Sequence, residues 1–201
     1  MSSQFRTSRK FDVVFLMAVA LGLWWCTVHR VAIGDWVYFL HYQPTAEASQ
    51  IADAAGLSAE GRRLFYRTNP TFTTKADVTA HCDIESLGCI TASGQVYIWD
   101  DSADHAQTIV VAAHEMLHLA YRRMGSSQKS ALEPLLNAGI ADNAILGIND
   151  ELAQEDTPDG RIDEAHSRLG TEYKNIPAAL ESYYRIYFSD RDKVLAAQAQ
   201  H

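Results

Sequence analysis

Residues 112–121 read AAHEMLHLAY, and the pattern His114-Glu115-Met116-Leu117-His118 within them governs how the rest of the chain is read. On an α-helix, residues four apart stand one above the other on one face, so two imidazoles at this spacing can reach a single ion, as zinc sites require. Glu115 is turned by about 100° from His114, close enough to hydrogen-bond a water at that ion without taking a coordination position. Ile109, Val110, Ala113, Met116 and Leu117 continue an apolar pattern, so one side of this helix faces a core and the other opens to a cleft. A pair of satisfied core histidines is the competing reading. The strand, turn and helix order around the motif favours the metal.

Catalytic zinc takes three protein ligands and keeps one position open, so a third must come from elsewhere. The candidates cluster downstream in Asp163-Glu164-Ala165-His166-Ser167-Arg168-Leu169-Gly170-Thr171-Glu172. Glu164 and His166 differ by about 200° around a helix, so only one of them can face the ion. Glu164 is preferred as the third ligand, with His166 as a group supporting the site or touching substrate. Glu172 is a weaker candidate because Gly170 reads as the end of the helix.

Helices are expected over 45–55, 59–68 (capped by Ser58 and ended by Asn69-Pro70), 128–141, 161–169, 178–188 and 192–200, with a short one from Thr74 to Cys82 and a long one from Asp104 to Met124. Gln95 to Asp100 (QVYIWD) is the best strand, with Val96 and Ile98 on one face and Tyr97 and Trp99 on the other. As an edge strand beside the cleft it would let an extended substrate add by main-chain hydrogen bonds; as an ordinary strand buried on both faces it would not. Tyr183, Tyr184, Tyr187 and Phe188 are expected to pack between helices. The fold class is α+β, mostly helical with a small sheet.

Residues 11–28 form an apolar run interrupted only by Asp12 and Gly22, just long enough to span a bilayer. Arg6, Arg9 and Lys10 precede it and only Arg30 follows closely, which places residues 1–10 in the cytoplasm and the rest outside. Ala18-Val19-Ala20 has the form of a signal-peptide cleavage site, but the apolar run continues through Trp24 and Trp25, which favours an uncleaved anchor. Residues 29–44, with Trp36, Tyr38, Phe39 and Tyr42, read as a juxtamembrane segment at headgroup level, leaving 45–201 as the functional domain. In a single-pass membrane protein of this orientation that domain lies outside the cytoplasm, where Cys82 and Cys89 are expected to form a disulfide; Cys26 falls inside the span. The net charge is −8, with the acidic excess beyond the first forty residues, so the domain lacks the basic footprint of a nucleic-acid binder.

With Glu164 on a helix after the motif helix, the chain resembles the gluzincin branch of HExxH zinc metallopeptidases. More closely, it resembles a family of single-pass bacterial membrane proteins with a gluzincin-like domain. That likeness rests on Asp35-Trp36, Tyr42-Gln43-Pro44, Gly61, Phe65-Tyr66, Cys82, Gly88-Cys89 and AAHEMLHLAY. It continues through Glu164, His166-Ser167, Gly170-Thr171-Glu172 and the tail LESYYRIYFSDRDKV at 180–194. Asp163 departs from it, standing where the family carries asparagine. The resemblance implies a zincin-like domain with peptidase activity and names no substrate.

The expected function is zinc-dependent hydrolysis of peptide bonds outside the cytoplasm, with His114, His118 and Glu164 holding Zn2+ and Glu115 as general base. The alternative is a non-catalytic, membrane-tethered interaction module whose metal is structural or absent. Glu115 argues against it, since a structural site is closed by a fourth protein ligand and has no use for a carboxylate aimed at water.

Overall fold

The computed structural model describes residues 5–82, 86–100 and 105–200, with side chains from Val13 onward. The charges of Arg6, Arg9 and Lys10 and the expected cap Asp104 lie outside what is described.

The chain divides into two compact units, Met1–Gln43 and Pro44–His201. The first holds α1 (Phe5–Val28) and α2 (Arg30–Phe39). Among the described residues no single helix is long and apolar enough to cross a membrane. Val13–Val28 and Arg30–Phe39 meet that measure only together, as a pair bent by 72°.

The second unit begins with α3 (Ala46–Ala54) and α4 (Ala59–Arg67). Each starts where a hydroxyl accepts an orphan amide of the first turn: Thr45 from Ala48, Ser58 from Gly61. Asn69 takes a left-handed φ of 47° before Pro70, which ends α4 and turns the chain into β1 (Thr71–Thr73). Thr74 caps α5 (Lys75–His81), and β2 (Gly88–Ile90) and β3 (Val96–Trp99) follow, joined by a turn in which Gly94 adopts φ 84°. Cys82 and Cys89 are bonded, tying the end of α5 to β2.

The three strands run in the order β1-β3-β2. β3 pairs in parallel with β1, from Thr71 opposite Tyr97 to Thr73 opposite Trp99, and antiparallel with β2, from Gly88 opposite Ile98 to Ile90 opposite Val96. The strand read from QVYIWD is therefore central and cannot accept an added chain. Its alternation holds: Val96 and Ile98 are buried, while Tyr97 and Trp99 are half-buried. The edge beside the cleft is β2, whose three residues are too short to show a period in sequence.

The remaining elements are α6 (His105–Arg122), α7 (Ser126–Asp142), a 3-10 turn (Ala144–Leu146), α8 (Ile148–Leu152), α9 (Pro158–Thr171), α10 (Ala178–Tyr184) and α11 (Asp192–Gln198). The domain is thus α+β and mostly helical, as expected. α6 carries the motif and is the central helix, packed against α3, α4, α9, α11 and the sheet. Ala112, Ala113, Met116, Leu117 and Ala120 bury its inner face.

Two features bring α9 onto α6. Gly170 lies within α9 rather than ending it, and a Cβ there would collide with Leu117 Cδ1 and the Tyr184 ring. The C-terminal end of α9 is held by Arg191, which is almost fully buried. Its Nη1 donates to the carbonyls of Leu169 at 3.2 Å and Tyr173 at 3.1 Å, and its Nε to Glu181 Oε2 at 2.9 Å. This guanidinium is a charged cap supplied by the C-terminal tail.

Candidate metal centre

His114 and His118 project from the same side of α6, as their spacing predicts, with His114 Nε2 and His118 Nε2 only 3.1 Å apart. Glu164 reaches them from α9: its Oε2 lies 3.6 Å from His114 Nε2 and 3.4 Å from His118 Nε2. An ion bound tetrahedrally at about 2.0 to 2.2 Å sets its donor atoms roughly 3.3 to 3.6 Å apart. The three edges of this triangle bracket that spacing, so the donor set of two imidazoles and one carboxylate fits zinc in both chemistry and size. Glu115 also offers an oxygen within 4.8 Å of both histidines. Glu164 stands closer and faces both rings, so it makes the better third donor.

No family model, curated protein or solved structure matches this chain. The site is therefore read from its own geometry.

Each imidazole presents its other nitrogen to a carboxylate. His118 Nδ1 is 2.8 Å from Asp163 Oδ1, and His114 Nδ1 is 3.5 Å from Glu172 Oε1. Such partners set the tautomer and orientation of metal-binding histidines. Asp163 and Glu164 are sequence neighbours separated by about 100° on α9, enough for one to face an imidazole's edge and the other the ion. Glu172, a candidate ligand in sequence, instead supports His114. Glu172 falls on this face because α9 continues through Gly170.

His166 takes neither role proposed for it. It is fully buried, its Nε2 lies 2.9 Å from the Tyr183 hydroxyl, and its ring packs against Tyr121, Tyr184 and Tyr187. Burial, reinforced by the charge of His118, lowers its pKa to about 3, with the Leu117 carbonyl pulling the other way. A neutral histidine on the core face of α9 is a packing residue, as the neighbouring tyrosines are.

The charges around the ligand triangle are strongly coupled. Burial pulls His114 and His118 down, but the surrounding carboxylates outweigh it. Glu164 and Glu172 hold His114 up to about 10, while Asp163 and Glu164 hold His118 up to about 9. Burial pushes the Glu164 carboxyl up, and the two imidazoles overcome this and carry it well below the usual carboxylate range.

The triangle opens into a cleft of about 770 Å³ lined on one side by α6 and α9 and on the other by β2. β2 lies close on the motif helix, since a Cβ on Gly88 would strike Val111 Cγ1 and come within 3.6 Å of Glu115 Cγ. Glu115 is buried at 6% exposure yet lines this cleft, and among the described residues its carboxylate has no hydrogen-bond partner. Arg122, one turn beyond His118, donates to the Ile90 carbonyl at 3.3 Å and stands 3.8 Å from Asp163 Oδ2. Arg122 and Arg168 have no role in the sequence reading above, although each lies at i+4 from a candidate ligand.

Proposed function

We propose that this chain is a membrane-anchored zinc peptidase of gluzincin type, with His114, His118 and Glu164 as zinc ligands and Glu115 as general base. The observation that carries this reading is the triangle of His114 Nε2, His118 Nε2 and Glu164 Oε2, with edges of 3.1, 3.6 and 3.4 Å, placed beside Glu115 in a cleft. A closed structural site would need a fourth donor; Asp163 and Glu172 are turned to the rings' outer nitrogens, and Glu115, with an oxygen within 4.8 Å of both histidines, is read as the base and not as that donor.

Zinc at this position supplies Lewis acidity, which polarises a carbonyl and makes water easier to deprotonate. Glu115 takes the proton of the attacking water and returns it to the leaving amine. Asp163 and Glu172 keep the two rings in the tautomer that leaves each Nε2 lone pair toward the ion. Among the described residues β2 pairs with β3 alone, and its outer edge, where Arg122 donates to the Ile90 carbonyl, would take an extended segment of a peptide or protein outside the cytoplasm. The apolar side chains exposed along α1, among them Phe15, Leu16, Leu23 and Trp24, suit contact with lipid and support reading the bent pair of α1 and α2 as the anchor.

The test is cleavage of unstructured peptides by the full-length chain in detergent, with zinc added and a chelator control, for the wild type and Glu115→Gln. The variant keeps the side chain's length but cannot accept the proton. It should retain zinc and lose at least about 10²-fold in turnover. Equal cleavage by both proteins would remove Glu115 from the mechanism. A zinc-loaded wild type that cleaves nothing across a broad library would favour a tethered interaction module.

A further inference from the structure

Arg168 stands one helical turn after Glu164 and one before Glu172 on α9, so the three side chains form a ladder on one face. Its Nε donates to Glu164 Oε1 at 2.6 Å, and its Nη1 donates to Glu172 Oε2 at 2.9 Å. Each carboxylate thus gives one oxygen to the guanidinium and turns the other to the site: Glu164 Oε2 to both Nε2 atoms, Glu172 Oε1 to His114 Nδ1. Arg168 is itself fixed from behind. Glu151 on α8 lies 3.3 Å from its Nη1, and Glu151 Oε2 accepts from the Tyr173 hydroxyl at 2.8 Å.

We propose that Arg168 is a positioning residue of the metal centre, selecting the oxygen through which Glu164 binds the ion and, through Glu172, holding the His114 ring. The inference rests on the zinc reading. A glutamate carboxylate turns about its last bond, and its two oxygens are chemically equal until something else claims one. The planar fork of an arginine can claim one oxygen from each of two glutamates at once; a lysine ammonium, a single point charge on a flexible stem, cannot fix both directions. Both glutamates are largely screened from water, with side chains 14% and 18% exposed, so solvent replaces this clamp poorly. Without Arg168, Glu164 would be free to swing or to chelate with both oxygens, and Glu172 would lose the contact that keeps its other oxygen on His114.

The test compares full-length wild type, Arg168→Met and Arg168→Lys in detergent, each checked for native circular dichroism. The first readout is zinc affinity by competition with a chromophoric chelator. The second is the visible spectrum of the cobalt(II)-substituted protein, which reports the geometry and donor set of the ion. Arg168→Met should bind zinc about 10- to 100-fold more weakly, the usual effect of removing a group that orients metal ligands, and its cobalt bands should shift. Arg168→Lys should fall between the two, and it decides the matter if Arg168→Met does not fold. A folded variant with wild-type affinity and an unchanged cobalt spectrum would overturn the proposal, even if peptide cleavage were lost, since that would place Arg168 on the substrate instead. A folded wild type that takes up neither zinc nor cobalt is a distinct failure: it overturns the metal reading, and this inference with it.

Discussion

Asp163 Oδ1 lies 2.8 Å from His118 Nδ1, so the residue immediately before the third candidate ligand orients the second one. The pairing links the two helices of the site independently of the ion, because His118 belongs to α6 and Asp163 to α9. An aspartate accepts more strongly here than an asparagine would, as the hydrogen bond is then charge-assisted. Asp163→Ala should weaken zinc binding by about 10- to 100-fold, and Asp163→Asn, which keeps a carbonyl acceptor, by less. Equal affinity in all three proteins would show that His118 needs no such support.

Glu164 and His166 separate cleanly by metal content, because they occupy opposite sides of α9. Glu164→Ala should lose stoichiometric zinc with its circular dichroism intact. His166→Ala should keep its zinc and lose stability, by about 2 to 5 kcal/mol if it behaves as a large buried side chain truncated in a packed core. Zinc retained by the first variant and lost by the second would make the site a three-histidine one.

The raised pKa values of His114 and His118 predict how the metal-free protein responds to pH. Both are raised in the folded state from an ordinary value near 6.5, to about 10 and about 9. Their contribution to stability is therefore fully present below about pH 6.5 and is lost as pH rises through 9 to 10. A bound ion requires neutral imidazoles, so zinc must displace protons at pH 7 and should bind more tightly as pH rises toward that window. Calorimetric titration of zinc at pH 7 in buffers of different ionisation enthalpy should register proton release. Zinc uptake without it would contradict the coupling. Thermal unfolding adds a second check: between pH 7 and 10 the metal-free protein should lose stability while the zinc-loaded protein, in which these protons are already gone, should not lose it from this source.

The parts of the site legible in sequence are those fixed by a single helix. The spacing of His114 and His118 places them together whatever surrounds them, and Glu115 follows from the same repeat. Glu164 could be preferred, yet choosing it over His166 depends on which side of α9 meets α6, and that is set by Gly170 fitting against Leu117 and Tyr184. Reading Gly170 as a helix end cut the helix short and hid the role of Glu172. The long helices show clear periodicity, whereas β1, β2 and α8 span only three to five residues and carry no period to detect. The central position of β3 was not legible either, since strand order comes from tertiary pairing and not from the strand's own residues.

Gly170 thereby gives the most direct link between packing and the candidate metal site. In an ordinary helix interior, glycine to alanine stabilises by roughly 0.5 to 1 kcal/mol through the backbone. At position 170 the added methyl would meet Leu117 Cδ1 and Tyr184, both fully buried and unable to move aside into solvent. Overpacking of this kind costs about 1 to 3 kcal/mol, so the net effect of Gly170→Ala should be destabilising. Relief of the collision requires α9 to move away from α6, and Glu164 moves with it, so zinc affinity should fall together with thermal stability. A double-mutant cycle with Leu117→Ala isolates the cause. Leu117→Ala alone leaves a cavity, but beside Gly170→Ala it makes room for the methyl, so the two changes together should be less damaging than their sum. Strict additivity, or a rise in stability from Gly170→Ala alone with unchanged zinc affinity, would show that this contact does not set the distance between the helix of the histidines and the helix of Glu164.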